Sequence, residues 1–187
     1  MRKLGGRAEA NSSSVAEAAG ASAIVGAAVQ AFGKLTILVN NAGVIDFAPT
    51  DQITDEQWRR MISVTLDGTF FMCRAAWPIF TAQGGGAIVN TTSNAGFAGN
   101  ELLVHYGAAK LAVAGLTKAL AQEGGPLNIR VNAIAPMAVT RMNREHFFKG
   151  ATTEGKNWRE DIRSGEGSHG AALRRLSGRP LARAPRY

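Results

Sequence analysis

The sequence predicts an α/β chain built on a doubly wound parallel sheet with helices on both faces. Two observations carry this. Stretches of helical period alternate with short β-branched and apolar runs, and the connections between them are brief. A third observation locates the working end: each strand-like run finishes in polar or conformationally special residues, and ligands of such sheets bind beyond the carboxyl ends of the strands.

The first element runs from Ala16 to Phe32, with Ile24, Val25, Ala28, Val29 and Phe32 at helical spacing and Gly33 as its stop. The run 35–39 then reads as a strand, buried on both sides, that ends in Asn40-Asn41-Ala42-Gly43. A second helix is predicted over 55–83. It starts after Thr54, carries Asp55 and Glu56 in its first turn, and is broken by Gly84-Gly85-Gly86. A strand at 87–91 follows, ending in Thr92 and Ser93, and 94–101 reads as a loop. The next helix, 102–122, is apolar on almost every face, and a third strand at 128–134 ends in Ala135-Pro136. Parallel strands joined through helices require crossovers, which are right-handed.

Residues 1–142 read as this domain and 143–187 as a divergent basic tail, rich in Gly, Ala, Arg and Pro and without a strand-like run, a composition that argues for poor order. The formal charge of +7 is distributed unevenly. Residues 1–140 carry ten basic and nine acidic side chains, and residues 141–187 carry eleven and five. The body is neutral. A nucleic-acid partner could therefore concern only the tail, which lacks the register of a binding module. A single cysteine, Cys73, cannot form an intrachain disulfide, and no Cys/His cluster has metal-ligand spacing, so no metal is expected. The start of the chain has no apolar signal core and no stretch is long enough to span a membrane, which predicts a cytoplasmic protein.

Tyr106 and Lys110 stand four apart near the start of a helix, on one face. A tyrosine of pKa near 10 is a poor base at neutral pH, and lowering that by about three units takes roughly 4 kcal/mol of phenolate stabilisation. An adjacent ammonium can supply much of it. Ser93, at the end of the preceding strand, could share the oxygen of a bound carbonyl or alcohol with Tyr106. Taken singly, each feature has a plainer reading: a packed ring beside a solvated amine, or a serine that caps the next turn. Together they form an ordered set, with Asn40-Asn41-Ala42-Gly43, Ser93-x-x-Gly96, Tyr106-x-x-x-Lys110 and Asn132-Ala-Ile-Ala-Pro136.

That set, with Pro136-x-x-x-Thr140, resembles the short-chain dehydrogenases/reductases over about residues 5–142. The runs 74–78, 106–110 and 128–136 are most similar to the hydroxyacyl-thioester dehydrogenase-like branch. The resemblance implies an incomplete Rossmann-like sheet and hydride transfer between a nicotinamide cofactor, NAD or NADP, and a small-molecule carbonyl or secondary alcohol. It makes Tyr106 the acid/base. Lys110 would lower the tyrosine pKa and bond the ribose, and Ser93 would orient the carbonyl. Asn40, Ala42 and Gly43 would lie along the cofactor, Pro136 would also be cofactor-binding, and Thr140 would contact the carboxamide. It also implies a homo-oligomer formed through the helices over 55–83 and 102–122.

The chain departs from the family pattern in places. Thr65-Leu66-Asp67-Gly68 stands where Asn-Leu-x-Gly is usual, so Thr65 takes the place of a fourth catalytic residue. Met137 replaces a glycine, and Ser14 replaces an aspartate at the adenine. The glycine-rich turn that would receive a pyrophosphate on a helix N-terminus is not found, so the sequence reads as truncated at the front, with residues 8–13 as an open strand edge. The alternative to an active enzyme is a catalytically silent family member acting by association with a complete subunit.

Overall fold

The computed structural model describes residues 5–136. The expected tail, 143–187, and Thr140 lie outside the described residues. Three parallel strands, β1 (Ile37–Asn40), β2 (Gly86–Thr91) and β3 (Ile129–Ile134), lie side by side in chain order. Asn40 is level with Asn90, and Thr91 with Ile134, so the carboxyl ends of the strands form one edge.

α1 (Ala18–Phe32) ends where Gly33 adopts φ 79° and returns its N–H to the Val29 carbonyl, a left-handed stop that favours glycine. α2 (Asp55–Ile62) begins in a capping box: the Thr54 hydroxyl accepts from Gln57 N–H at 3.1 Å, and the Gln57 side-chain oxygen accepts from Thr54 N–H at 2.9 Å. The helix expected over 55–83 is not one regular helix. A π-helical turn, Ser63–Asp67, separates α2 from α3 (Gly68–Ala82). α4 (Asn94–Ala98) is a short helix inside the stretch read as loop, and α5 spans Val104–Gly124, two residues later than expected at each end. It starts late because Leu102 sits at φ 62°, which no helical residue adopts, with its carbonyl accepting from Ala48 N–H at 3.1 Å.

The parallel Rossmann-like sheet matches the predicted fold, but among the described residues the helices cover only one of its faces. Leu38, Ile88, Ile129 and Val131 point into a core with Ala21 and Val25 of α1 and Met72, Cys73, Ala76 and Phe80 of α3. α5 closes the same face over β2 and β3. On the opposite face Ile37 is 60% exposed, Val39 57% and Ile134 48%. The reason is handedness. Each strand is added on the same side of the last, so right-handed crossovers must all fall on one face. The β-branched runs, expected to be buried on both sides, alternate in burial instead. Residues 8–13, expected as the open strand edge, form no strand, and β1 is the edge strand at that end of the sheet.

Candidate active site

The carboxyl edge of the sheet brings Gly43, Ser93, Tyr106 and Lys110 together. Lys110 is only 4% exposed, and its Nζ donates to the Thr91 carbonyl at 2.8 Å, which ties α5 to the end of β2. A second tie runs the other way, from the Thr92 hydroxyl to the Lys110 carbonyl at 2.6 Å. The ammonium lies 5.6 Å from the centre of the Tyr106 ring, as expected for side chains four apart on one helix. It also lies beside Gly43, where even a Cβ would come within 3.6 Å of Nζ. One of the three ammonium donors is committed to protein, which leaves two for a ligand.

Ser93 caps the turn that follows it, the plainer of its two readings. Its Oγ accepts from Ala95 N–H at 3.2 Å, capping α4, and it donates to Asn94 Oδ1 at 3.3 Å. It is also the side chain that acts on the Tyr106 phenol, drawing its pKa downward. The direction of the Tyr106 pKa reverses the expectation. Burial pushes the phenol up from its ordinary value, the Ser93 hydrogen bond opposes this in part, and the net is upward. Burial also pushes the Lys110 ammonium down. At neutral pH the tyrosine in this site is therefore a protonated phenol, able to give a proton.

The remaining candidates fall in different places. Asn40 turns away from the edge into the core, where its Nδ2 donates to Asn90 Oδ1 at 2.9 Å and to Cys73 Sγ at 3.3 Å. Asn90 Nδ2 donates onward to Thr117 Oγ1 at 2.9 Å, and that hydroxyl donates to the Val113 carbonyl at 2.7 Å. This buried chain spans β1, β2, α3 and α5 beneath the site, so the Asn40 side chain aligns the strand ends from below. Burial pushes the Cys73 thiol up to about 11, against hydrogen bonds with Asn40, which donates to the sulfur, and with Asn90, whose Oδ1 accepts from it at 3.8 Å. Thr65 is buried in the π turn. Its hydroxyl donates to Met61 Sδ at 3.6 Å and makes no bond to Lys110, while its carbonyl accepts from Thr69 Oγ1 at 2.7 Å. Ala42 and Pro136 are exposed at the strand ends.

Sequence reasoning missed the Thr91 carbonyl, Thr92, Asn90 and Thr117. A backbone carbonyl leaves no mark in a sequence. Asn90 could have been found: a polar residue at an inward position of a strand, level with Asn40, must have a buried partner. Among the described residues no group of His, Cys, Asp and Glu could hold a metal ion, and no helix is long and apolar enough to cross a membrane.

The fold is a parallel α/β sheet whose carboxyl edge gathers Ser93, Tyr106 and Lys110. A match over residues 1–149 places the chain in the short chain dehydrogenase family, to which it belongs. A short-chain type dehydrogenase/reductase of Mycobacterium tuberculosis is 42% identical over 145 residues, covering 78% of this chain and 51% of the relative. The peroxisomal hydratase-dehydrogenase-epimerase of Saccharomyces cerevisiae is 40% identical over 142 residues, 76% of this chain and 16% of that protein. Among solved structures, a gluconate 5-dehydrogenase of Burkholderia cenocepacia, in complex with NADP and tartrate, superposes with a TM-score of 0.73 at 32% identity. That match covers 77% of this chain and 57% of the other. The chain thus spans about half the length of the Mycobacterium relative.

Proposed function

We infer that the chain carries the proton-transfer half of a nicotinamide-dependent oxidoreductase site that interconverts a carbonyl and a secondary alcohol. The observation that carries the reading is the assembly of Ser93, Tyr106 and Lys110 beside Gly43 at the carboxyl edge of the sheet. The bound cofactor, NAD or NADP, supplies or accepts the hydride. Lys110 has two donors left for the ribose hydroxyls, and Gly43 gives the close backbone approach such a ligand needs. Ala42 and Pro136 flank the same edge and Asn40 holds it from the core, while Thr140, expected to contact the carboxamide, lies outside the described residues. Ser93 donates to the substrate oxygen and Tyr106 passes its proton to that oxygen during reduction. The phenolate that forms is then met by the Lys110 ammonium. Thr65, whose hydroxyl donates to Met61 Sδ, is read as holding the π turn that packs against α5 rather than as a member of the proton path.

Because the Tyr106 phenol is held above its ordinary pKa, carbonyl reduction should be favoured at neutral pH and alcohol oxidation should rise as the solution becomes alkaline. Steady-state kinetics with both cofactors, on a ketone panel that includes a 3-ketoacyl thioester and a simple cyclic ketone, tests the reading. Tyr106→Phe should abolish turnover and leave the circular dichroism unchanged. Retained turnover with an unchanged pH profile would overturn it. The thioester belongs in the panel because the yeast relative combines dehydrogenase and hydratase functions in its name and is 40% identical.

The chain is also read as a cytoplasmic homo-oligomer. Trp58 of α2, Phe70 of α3, and Val104 and Leu111 of α5 are large apolar side chains left exposed on the two helical segments expected to pair. A second reading, a silent family member that works by associating with a complete subunit, draws on the uncovered face of the sheet. It would be favoured if the purified chain failed to turn over any ketone yet formed a stoichiometric complex with an intact family member.

A further inference from the structure

We propose that Asn94 is a positioning residue that acts through Ser93, its side-chain oxygen holding the serine proton and so deciding when that proton reaches the substrate oxygen. The inference rests on the oxidoreductase reading above. Ser93 has extended backbone (φ −154°, ψ 149°), and its Oγ accepts the Ala95 N–H, so one lone pair is committed to the cap of α4. A serine hydroxyl has a single proton. Here it points at Asn94 Oδ1, 3.3 Å away. While it does so, it is not available to a substrate carbonyl or to Tyr106.

The geometry suits a holding position. An O–H···O contact of 3.3 Å is long, so the bond is weak enough to be exchanged for a better one. Turning a hydroxyl rotor leaves the Ala95 cap in place, so the oxygen stays put while the proton changes partner. The chemistry of the acceptor matters as well. A neutral amide oxygen releases a proton donor more readily than a carboxylate, whose charge-assisted bonds are about twice as strong. The Asn94 side chain makes no other hydrogen bond among the described residues, so its amide is spent on Ser93 rather than on the scaffold. Because Ser93 also faces Tyr106, the rotor couples Asn94 to the acid/base group without direct contact.

Spectrophotometric titration of the Tyr106 phenolate tests this without requiring turnover. The full chain has two tyrosines, so Tyr187→Phe leaves one to report. Asn94→Ala should free the serine proton toward the phenolate and lower the Tyr106 midpoint by up to about one pH unit, the equivalent of one hydrogen bond. Asn94→Asp should hold the proton more firmly and raise the midpoint. Both shifts should vanish in a Ser93→Ala background, with Lys110, the cation beside the ring, unchanged throughout. No shift in either variant would overturn the proposal. So would an Asn94→Asp shift of full size without Ser93, which would reveal a bare charge effect. In turnover assays Asn94→Asp should lower kcat as its carboxylate ionises and leave KM for the cofactor unchanged. A wild-type chain with no turnover, or a Tyr106→Phe variant that keeps it, would sink the oxidoreductase reading while the titration still decided the role of Asn94.

Discussion

The two faces of the sheet are made of the same kinds of residue and have opposite fates. Leu38, Ile88, Ile129 and Val131 are sealed under α1, α3 and α5, while Ile37, Val39 and Ile134, their neighbours in sequence, stand open. Nothing in side-chain chemistry separates the two sets. Chain path does, since three strands laid down in one direction send every right-handed crossover to one side. The covered face could therefore accept the buried chain Asn40–Asn90–Thr117, because helices on that side supplied partners for it.

The comparison breaks most sharply under truncation. Ile88→Ala, at a fully buried position in the middle strand, should cost about 2–5 kcal/mol. Val39→Ala, one strand over on the open face, should cost well under half of that. Urea midpoints followed by circular dichroism measure both. A Val39 variant as damaging as the Ile88 variant would mean the open face is covered in solution.

A somewhat smaller effect should come from Cys73. Its folded pKa of about 11 lies above the ordinary thiol value of 9.0, so the folded state keeps a proton the unfolded chain loses. The contribution is fully present below pH 9 and disappears as pH rises through 11. It amounts to about 2–3 kcal/mol at most. Urea unfolding at pH 8 and pH 11 should show wild type losing more stability than Cys73→Ala, a difference insensitive to the alkaline titrations of Tyr106 and Lys110 common to both. Equal losses would show that the thiol is not sealed.

The smallest effect expected is that of Asn90→Ala, about 1–3 kcal/mol, because it leaves the Asn40 amide only the weaker Cys73 acceptor and deprives Thr117 of its donor. It should also loosen the strand ends, visible as faster amide exchange at Asn41 and Gly43. Unchanged exchange there would limit Asn90 to a packing role.

Much of the fold and site is legible in the sequence where a residue's chemistry acts locally. Gly33 stops α1 because glycine adopts the left-handed turn, and Thr54 starts α2 because its hydroxyl reaches three residues ahead. The spacing of Tyr106 and Lys110 on one helical face likewise brings their heads together by helical period alone. What is not legible depends on chain path or on burial. The open face carries β-branched residues like those of the core. α4 is hidden by glycines that permit close approach to α5, where a Cβ on Gly96 would come within 2.7 Å of Leu111 N. The π turn leaves no composition signal. The upward push on Tyr106 comes from desolvation, which spacing alone cannot reveal, and the inward turn of Asn40 is clear only with Asn90 beside it.

The π turn also sets how much length variation this region can absorb. Met61, Thr65, Thr69 and Cys73 are buried at intervals of four, whereas an unbroken α-helix of 3.6 residues per turn would carry such a series steadily around its circumference. The wide turn at Ser63–Asp67 takes up an extra residue and brings the series back into phase. Winding that turn into regular α-helix with every residue kept would forfeit the correction. Everything downstream would then rotate by about 100°, and Cys73, Ala76 and Phe80 would turn away from the strands. A single deletion in this turn is absorbed by its closing into regular α-helix, whereas the same deletion within α3 would turn the residues beyond it by about 100° and misdirect them.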